Sequence, residues 1–170
     1  GTLITLENAR KIKEAGFAYV GVSLDALGDA NDRFRGHKGA FDMALEGIRN
    51  CVKVGQRVGL RCTINRHNYE AIGGLLDLVE TENIDRVCFY HLVYSGRGSD
   101  MVHDDISHEE SRAALDLIAR RAEDFHRRGI EKDILTVDNH ADGVYVYLKI
   151  KASDPERAAQ VLQLLRWNGG

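Results

Sequence analysis

The chain has 170 residues, of which 44% are apolar and 29% charged, and its formal net charge is −3. These values are typical of a globular domain, and the scattered Lys and Arg residues do not form the basic patch that nucleic-acid binding needs. No apolar run approaches the roughly 18 residues that a membrane span requires. Three cysteines without metal-ligand spacing (Cys51, Cys62 and Cys88) fit a reducing compartment, so we expect a cytoplasmic protein.

Helical and strand patterns alternate along the whole chain. Apolar residues at a spacing of three and four predict helices, and runs of β-branched and aromatic residues predict strands. The predicted elements, in chain order, are a helix over 6–15, a strand over 19–24, a loop over 25–40, a helix over 41–54, a strand over 57–64, a helix over 69–79, a strand over 86–94, a loop over 95–107, a helix over 107–128, strands over 134–138 and 144–150, and a helix over 153–167.

Several helix ends carry their own local signals. Gly16 stands where a C-terminal cap glycine is expected, and Gly55 ends the second helix in the same way. Ser107 and Glu110 have the spacing of a capping box, and Pro155 suits the first turn of the last helix.

Strands that alternate with helices predict parallel βα units, and therefore an α/β fold. About four units are visible, which is too few for a complete eight-stranded barrel. The expected architecture is an open or partial barrel. In such folds the ligand lies at the carboxyl ends of the strands.

Polar side chains follow each predicted strand, and together they define a candidate rim. The rim would combine hydroxyls, a carboxylate, a guanidinium, a phenol, imidazoles and a glycine-rich turn, which suits a ligand with hydroxyl, carboxylate and purine groups. Its members are Ser23, Asp25, Arg61, Thr63, Asn65, Tyr90, His91, the turn 96–98, Asp138, Asn139 and His140.

Each member also has a purely structural interpretation. Ser23 and Asp25 suit turn caps as well as ligand contacts. Arg61 within an apolar strand favours a ligand or a buried ion pair, because charged residues are rarely buried unpaired. His91 fits a core histidine, the turn 96–98 is a weak signal, and 138–143 has the composition of a turn with too few candidate ligands for a metal site.

Several segments resemble radical S-adenosylmethionine (SAM) enzymes that mature cofactors and peptides. The segment "YVGVSLDALGDANDRFRGHKGAFDMALEGIRNC" (19–51) is similar to their fourth strand and the following helix, and "GTLI" to the end of their third strand. "VGLRCTINRHN" (58–68) and "RVCFYHLVYSGRG" (86–98) are similar to their fifth and sixth strands. More narrowly, "ILTVDNHADGVYVYLKI" (134–150) and "LLRWNGG" (164–170) resemble the radical SAM proteins of haem d1 biosynthesis.

This resemblance implies a fold, two cofactors and roles for the rim. The fold would be a partial segment of a TIM-like (β/α)6 barrel, with later βα units in 1–150 and a C-terminal helix in 151–170. The cofactors would be SAM and a [4Fe–4S] cluster. Five residues would bind SAM (Ser23, Asp25, Arg61, Tyr90 and Val93), and three would face the substrate (Asp138, Asn139 and His140).

The implied reaction removes propionate side chains from a didecarboxysirohaem-type tetrapyrrole through a 5′-deoxyadenosyl radical. It needs an electron donor such as a ferredoxin or flavodoxin. The family's cluster-binding C-x-x-x-C-x-x-C loop is not in the 170 residues, nor is a cysteine-rich C-terminal region. We therefore expect an internal fragment that is inactive alone and exposes a sheet edge for dimerisation or strand exchange.

Two alternatives stay open at this point. The first is a related radical SAM enzyme with another substrate, either a haem-forming decarboxylase or a peptide maturase. The second is a βα-repeat module that binds or assembles without catalysis, for which substitution of Arg61 or Asp25 would change no ligand interaction.

Overall fold

The structure, a computed structural model, describes residues 1–167. Strands and helices alternate through most of this range, and two short 3-10 segments cover Tyr69–Ala71 and Gly96–Asp104. The regular elements are α1 (Leu6–Glu14), β1 (Val20–Ser23), α2 (Gly28–Arg35), α3 (Ala40–Lys53), β2 (Val58–Thr63), α4 (Ile72–Thr81), β3 (Arg86–Tyr90), α5 (His108–Arg127), β4 (Asp133–Val137), α6 (Ala141–Ser153) and α7 (Pro155–Trp167).

The four strands form one parallel sheet in the order β1-β2-β3-β4, so each strand lies beside its sequence neighbour. Parallel neighbours need a crossover, and helices α3, α4 and α5 supply these connections. The predicted α/β class with parallel βα units is confirmed. Because all strands run in one direction, their carboxyl ends lie along a single edge of the sheet, as the sequence predicted for the rim.

Helices cover one face of the sheet and build the core there. Alternate residues of the strands are fully buried beneath α3 and α4, and α5 adds Ile118 and Phe125 to the same cluster. The strand residues that enter this core are Val22, Val58, Leu60, Cys62, Val87 and Phe89. We call this side the covered face.

The opposite side, which we call the open face, is lined by the remaining strand residues. Two glycines in matched register, Gly21 and Gly59, keep it flat. The stem of Arg61 lies across Gly21, where an added Cβ would come within 2.7 Å of the arginine Cδ. The ring of Tyr19 lies across Gly59 in the same way, and its hydroxyl is buried without a partner among the described residues.

One element was missed and another is shorter than predicted. The prediction of a loop over 25–40 is wrong for Gly28–Arg35, which form the eight-residue helix α2, followed by the C-cap Gly36 with φ +67°. The strand predicted over 86–94 ends at Tyr90, and residues 91–94 continue without regular structure.

The strand predicted over 144–150 is wrong, since this segment belongs to helix α6. Its alternating Val and Tyr residues have high strand propensity, but tertiary contacts decide the outcome. Tyr145 and Lys149, four residues apart, both donate hydrogen bonds to Asp116 on α5. In a helix, positions i and i+4 are about 6 Å apart along the axis, whereas in a strand they would be about 13 Å apart, so the helical form lets both side chains reach one carboxylate.

The predicted helix ends are confirmed where the structure describes them. Ser107 and Glu110 form a complete capping box at α5, and α7 begins at Pro155. The last three residues of the predicted segment 151–170 lie outside the described residues. None of the helices within residues 1–167 is long and apolar enough to cross a membrane.

Substitution of Gly59 by alanine should destabilise the protein by about 1–3 kcal/mol, since the new methyl group overpacks the open face. It would contact the Tyr19 hydroxyl and approach the backbone oxygen of Arg86 to 2.9 Å. The matched control is Gly73→Ala in α4, where the nearest heavy atom would be 3.8 Å away and helix propensity favours alanine by up to about 1 kcal/mol. Urea denaturation measures both, and equal free energies of unfolding for the two variants would contradict the prediction.

Candidate functional site

The structure brings three of the predicted residues together on the open face near the strand ends. Ser23 and Arg61 are register partners on β1 and β2, and both are exposed. The Arg61 Nε donates a hydrogen bond of 3.0 Å to the hydroxyl of Tyr90 on β3. The guanidinium carbon lies 4.9 Å from the Tyr90 ring centre, in the range of a cation–π contact.

The contact with Tyr90 fixes the position of the Arg61 cation. Arginine is a permanent cation in proteins, and the hydrogen bond to the Tyr90 hydroxyl raises the pKa of Arg61 further. The side chain stays exposed, and no carboxylate of the described residues forms an ion pair with it. A fixed cation beside an exposed hydroxyl is suited to a carboxylate ligand.

Asp25 differs from Ser23 although the two residues are only two positions apart. Asp25 is 2% exposed and pairs with the Arg35 guanidinium of α2. Its Oδ1 accepts a hydrogen bond of 3.1 Å from the backbone N–H of Thr63. Burial raises the pKa of Asp25, while the Thr63 N–H and the Arg35 cation act in the opposite direction. The carboxylate therefore joins the ends of β1 and β2 to α2.

Within the segment that resembles the family signature, residues 28–41 fold beside Asp25, and we call these residues the bracket. The Asn31 side chain accepts a hydrogen bond of 3.0 Å from the Asp25 backbone N–H. Asp32 accepts hydrogen bonds from the backbone N–H groups of Gly39 and Phe41, the second at 2.8 Å. Gly36 and Gly39 adopt φ of +67° and +81°, a left-handed conformation that favours glycine.

Arg35 and Asn31 are the site residues that the sequence interpretation missed. Their signal was present in the quoted segment, in the run Asn31, Asp32, Arg35 and Gly36 that resembles the family signature. The segment was interpreted as a loop, so its side chains were not assigned partners. A second omission is Asn68, which is buried and donates to the Thr63 carbonyl at 2.8 Å, shaping the loop after β2.

His91 follows Tyr90 and turns toward α6. Its Nε2 lies 2.8 Å from the Oδ2 of Asp142, and both side chains are largely buried. The Oδ1 of Asp142 is buried and has no partner among the described residues. His91 is thus a partnered histidine, as the structural interpretation proposed, and its partner lies just beyond the predicted segment 138–140.

Four further predicted residues, Val93 and 138–140, lie at the same edge but make fewer side-chain hydrogen bonds than Asp25 or Arg61. Val93 is half exposed after the end of β3. Asp138 and His140 are exposed, and Asp138 has φ +69°, a left-handed conformation that aspartate tolerates in turns. Asn139 accepts a hydrogen bond of 3.1 Å from the Ala141 N–H in the turn that leads into α6.

The described residues do not fit an iron–sulfur cluster. Such clusters need several thiolates that converge on one point. The three cysteines are free and buried, and burial raises the pKa of the Cys62 thiol far above its usual range. Within residues 1–167 no group of three or more His, Cys, Asp or Glu side chains is placed to hold a metal ion.

Residues 1–79 match the family model described as the Radical SAM superfamily. The chain is 56% identical over 170 residues to Fe-coproporphyrin III synthase of Methanosarcina barkeri. It is 42% identical over 174 aligned positions to pre-heme d1 synthase of Dinoroseobacter shibae. The alignments cover 100% and 99% of this chain, and the chain spans 43% of the length of each relative.

Solved structures of the same fold support the architecture. Streptococcus suis SuiB bound to precursor peptide SuiA superposes with a TM-score of 0.65 at 18% identity, over 86% of this chain and 32% of that chain. The structure titled anSMEcpe with bound AdoMet and Cp18Cys peptide gives 0.64 at 15% identity, over 79% of this chain and 38% of that chain. The predicted partial radical SAM barrel agrees with the family match over residues 1–79 and with the fold of these structures.

Substitution of Asp25 by alanine should lower the free energy of unfolding by about 2–4 kcal/mol, because it leaves the Thr63 N–H and Arg35 without their shared partner. Asp25→Asn should cost less, since it keeps an acceptor for Thr63. The control is Asp29→Ala, an exposed aspartate of α2, with an expected change within about 0.5 kcal/mol. Urea denaturation measures all three, and an Asp25→Ala effect no larger than that of the control would argue against the bracket.

Proposed function

Because this chain belongs to the radical SAM superfamily, we propose that it forms the part of a radical SAM enzyme that holds SAM beside an iron tetrapyrrole. The observation that carries the proposal is the exposed cation of Arg61, fixed by Tyr90 and adjacent to Ser23 at the carboxyl ends of parallel strands. That edge is where ligands bind in barrels of this type.

Arg61 would bind the methionyl carboxylate of SAM, since a guanidinium recognises a carboxylate through two parallel hydrogen bonds. Ser23 would donate or accept a hydrogen bond at the ribose or amino group. The flat glycine surface supports this role, because Gly21 leaves room for the arginine stem to lie along the sheet. These two residues would thus fix the polar end of the cofactor.

Tyr90 and Val93 would line the adenine. The Tyr90 ring is held by Arg61, and Val93 offers an exposed apolar surface just past the strand end. Asp138, Asn139 and His140 would face the substrate from the end of β4. Asp25 would contribute to SAM binding indirectly, as a positioning residue. Its carboxylate is buried against Arg35 and Thr63, and it holds the strand ends that carry Ser23 and Arg61.

The [4Fe–4S] cluster would be held by residues other than the described ones. SAM bound at such a cluster would supply, on one-electron reduction, methionine and a 5′-deoxyadenosyl radical able to take a hydrogen atom from the substrate. We propose a ferredoxin or flavodoxin as the electron source. The protein's contribution is to orient cofactor and substrate and to exclude water from the radical.

The specific reaction we propose is removal of propionate side chains from a didecarboxysirohaem-type tetrapyrrole, which the resemblance to the radical SAM proteins of haem d1 biosynthesis implies; the 42% identity to a pre-heme d1 synthase supports an enzyme of this kind. A second candidate is formation of an iron coproporphyrin, which the 56% identity to Fe-coproporphyrin III synthase favours. Both candidates use an iron tetrapyrrole. They differ in the fate of the propionates, because a coproporphyrin retains its four propionate groups.

The test uses the whole protein that contains this chain, with its cluster reconstituted under anaerobic conditions. SAM, dithionite and didecarboxysirohaem are added, and liquid chromatography with mass spectrometry follows 5′-deoxyadenosine and the tetrapyrrole. The expected products are 5′-deoxyadenosine and a tetrapyrrole that lacks propionates. Full retention of the propionates with loss of other side chains would identify the second candidate. A tetrapyrrole that remains unchanged would contradict both.

Substitution of Arg61 by alanine should weaken SAM binding by the whole protein at least tenfold, because the carboxylate loses a charge-assisted partner worth about 1.5–3 kcal/mol. Arg61→Lys should recover only part of this, since lysine lacks the planar fork. The control Arg10→Ala removes an exposed arginine of α1, far along the chain from the strand ends. Equilibrium dialysis with labelled SAM measures the affinities, and unchanged binding in Arg61→Ala would favour the non-catalytic alternative.

A further inference from the structure

The open face changes its chemical character across its width. One register row runs Ser23, Arg61, Cys88 and Leu135, from β1 to β4. The next row toward the strand ends runs Thr63, Tyr90 and Val137. The β1–β3 side therefore presents a hydroxyl, a guanidinium and a phenol, whereas β4 presents two aliphatic side chains. We call Leu135 and Val137 the apolar strip.

The exposure of the apolar strip is unusual for this kind of sheet. Parallel sheets are normally buried on both faces, and their strands are rich in aliphatic residues for that reason. Here Leu135 leaves 38% of its surface exposed, and Val137 is partly exposed. On the covered face of the same strand, Ile134 packs against the core. The apolar strip therefore consists of residues typical of a buried sheet face, yet these residues are left at least partly exposed.

We propose that the apolar strip binds the flat face of the tetrapyrrole macrocycle. This inference rests on the proposed function, and it names the residues that would select the substrate class. The macrocycle is a large conjugated ring with an apolar face and charged carboxylates at its periphery. Leu135 and Val137 would contact the ring face, and the carboxylates would extend toward the polar residues at the strand ends.

The position of the strip suits a second ligand beside SAM. Neighbouring strands are about 4.8 Å apart, so the row from Ser23 to Leu135 spans about 14 Å. SAM bound by Ser23, Arg61 and Tyr90 would occupy the polar part of that row. A substrate that meets the radical must lie next to it, and the adjacent surface on β4 is the apolar strip.

The matches to known proteins are consistent with a polar region of the open face for SAM and an apolar region for the substrate. The family model ends at residue 79, before β3 and β4 begin. The alignments with the two tetrapyrrole-named relatives continue over essentially the whole chain, including β4. Residues that distinguish a tetrapyrrole enzyme from other family members are therefore to be sought in the second half of the chain.

The experiment measures tetrapyrrole and SAM binding separately in the whole protein. Fe-coproporphyrin III is the probe, and its Soret absorbance gives the dissociation constant; equilibrium dialysis gives that of SAM. Leu135→Asp should weaken binding of the probe at least tenfold while SAM binding changes less than twofold. The matched control is Leu148→Asp, an exposed leucine of α6 that does not lie on the sheet. Leu135→Ala and Val137→Ala, with several-fold effects expected, serve if the charged variant does not fold.

The outcomes separate this inference from the proposed function. Probe binding that is equally tight in wild type, Leu135→Asp and the alanine variants overturns the apolar strip but leaves the proposed function intact. Failure of the wild-type protein to bind any iron tetrapyrrole overturns both. Equal losses in the Leu135 and Leu148 variants would indicate a general effect of a new charge and would also overturn the inference.

Discussion

The burial of the Asp25 carboxylate is the constraint on which the candidate site depends. A buried carboxylate is tolerated only when it is paired and hydrogen-bonded, and Arg35 and the Thr63 N–H meet that requirement. The two partners come from α2 and from the end of β2, so one side chain fixes three elements relative to one another. The β1–β2 ladder places Ser23 beside Arg61, and Asp25 holds the ends of these two strands together through Thr63. The positions of the candidate site residues therefore depend on buried groups that would not contact the ligand.

The open face imposes a second condition, which glycine satisfies. A large side chain such as Arg61 lies flat on a sheet only where the neighbouring strand lacks a Cβ, and Gly21 provides that place. Tyr19 uses Gly59 in the same way, nearer the amino ends of the strands, where Arg86 stacks on its ring and pairs with Asp133. Aromatic and charged groups thus cover the open face near the amino ends of the strands, and the face stays accessible near their carboxyl ends.

The sequence predicted the parallel βα order well because glycine stops, capping residues and apolar periodicity act locally. It failed where tertiary contacts outweigh local preference, as in α6, whose Val and Tyr residues favour a strand until Asp116 on α5 selects the helical spacing of Tyr145 and Lys149. The rim was predicted for a similar reason, since parallel strands must end together. Which rim side chains face a ligand was not predictable, because Ser23 and Asp25 have the same spacing pattern but opposite exposure.

The opposite exposure of Ser23 and Asp25 bears on which function the residues of the family signature have. Asn31, Asp32, Arg35 and the two glycines of the signature contact Asp25 or the backbone of their own loop, so in this chain they form a scaffold that positions the strand ends. A scaffold of this kind is compatible with many substrates, since it leaves the open face free to vary. The choice of substrate must then depend on side chains that the scaffold does not use. We assign this role to two aliphatic residues of β4, Leu135, which is exposed, and Val137, which is partly exposed; both lie beyond the part that matches the family model.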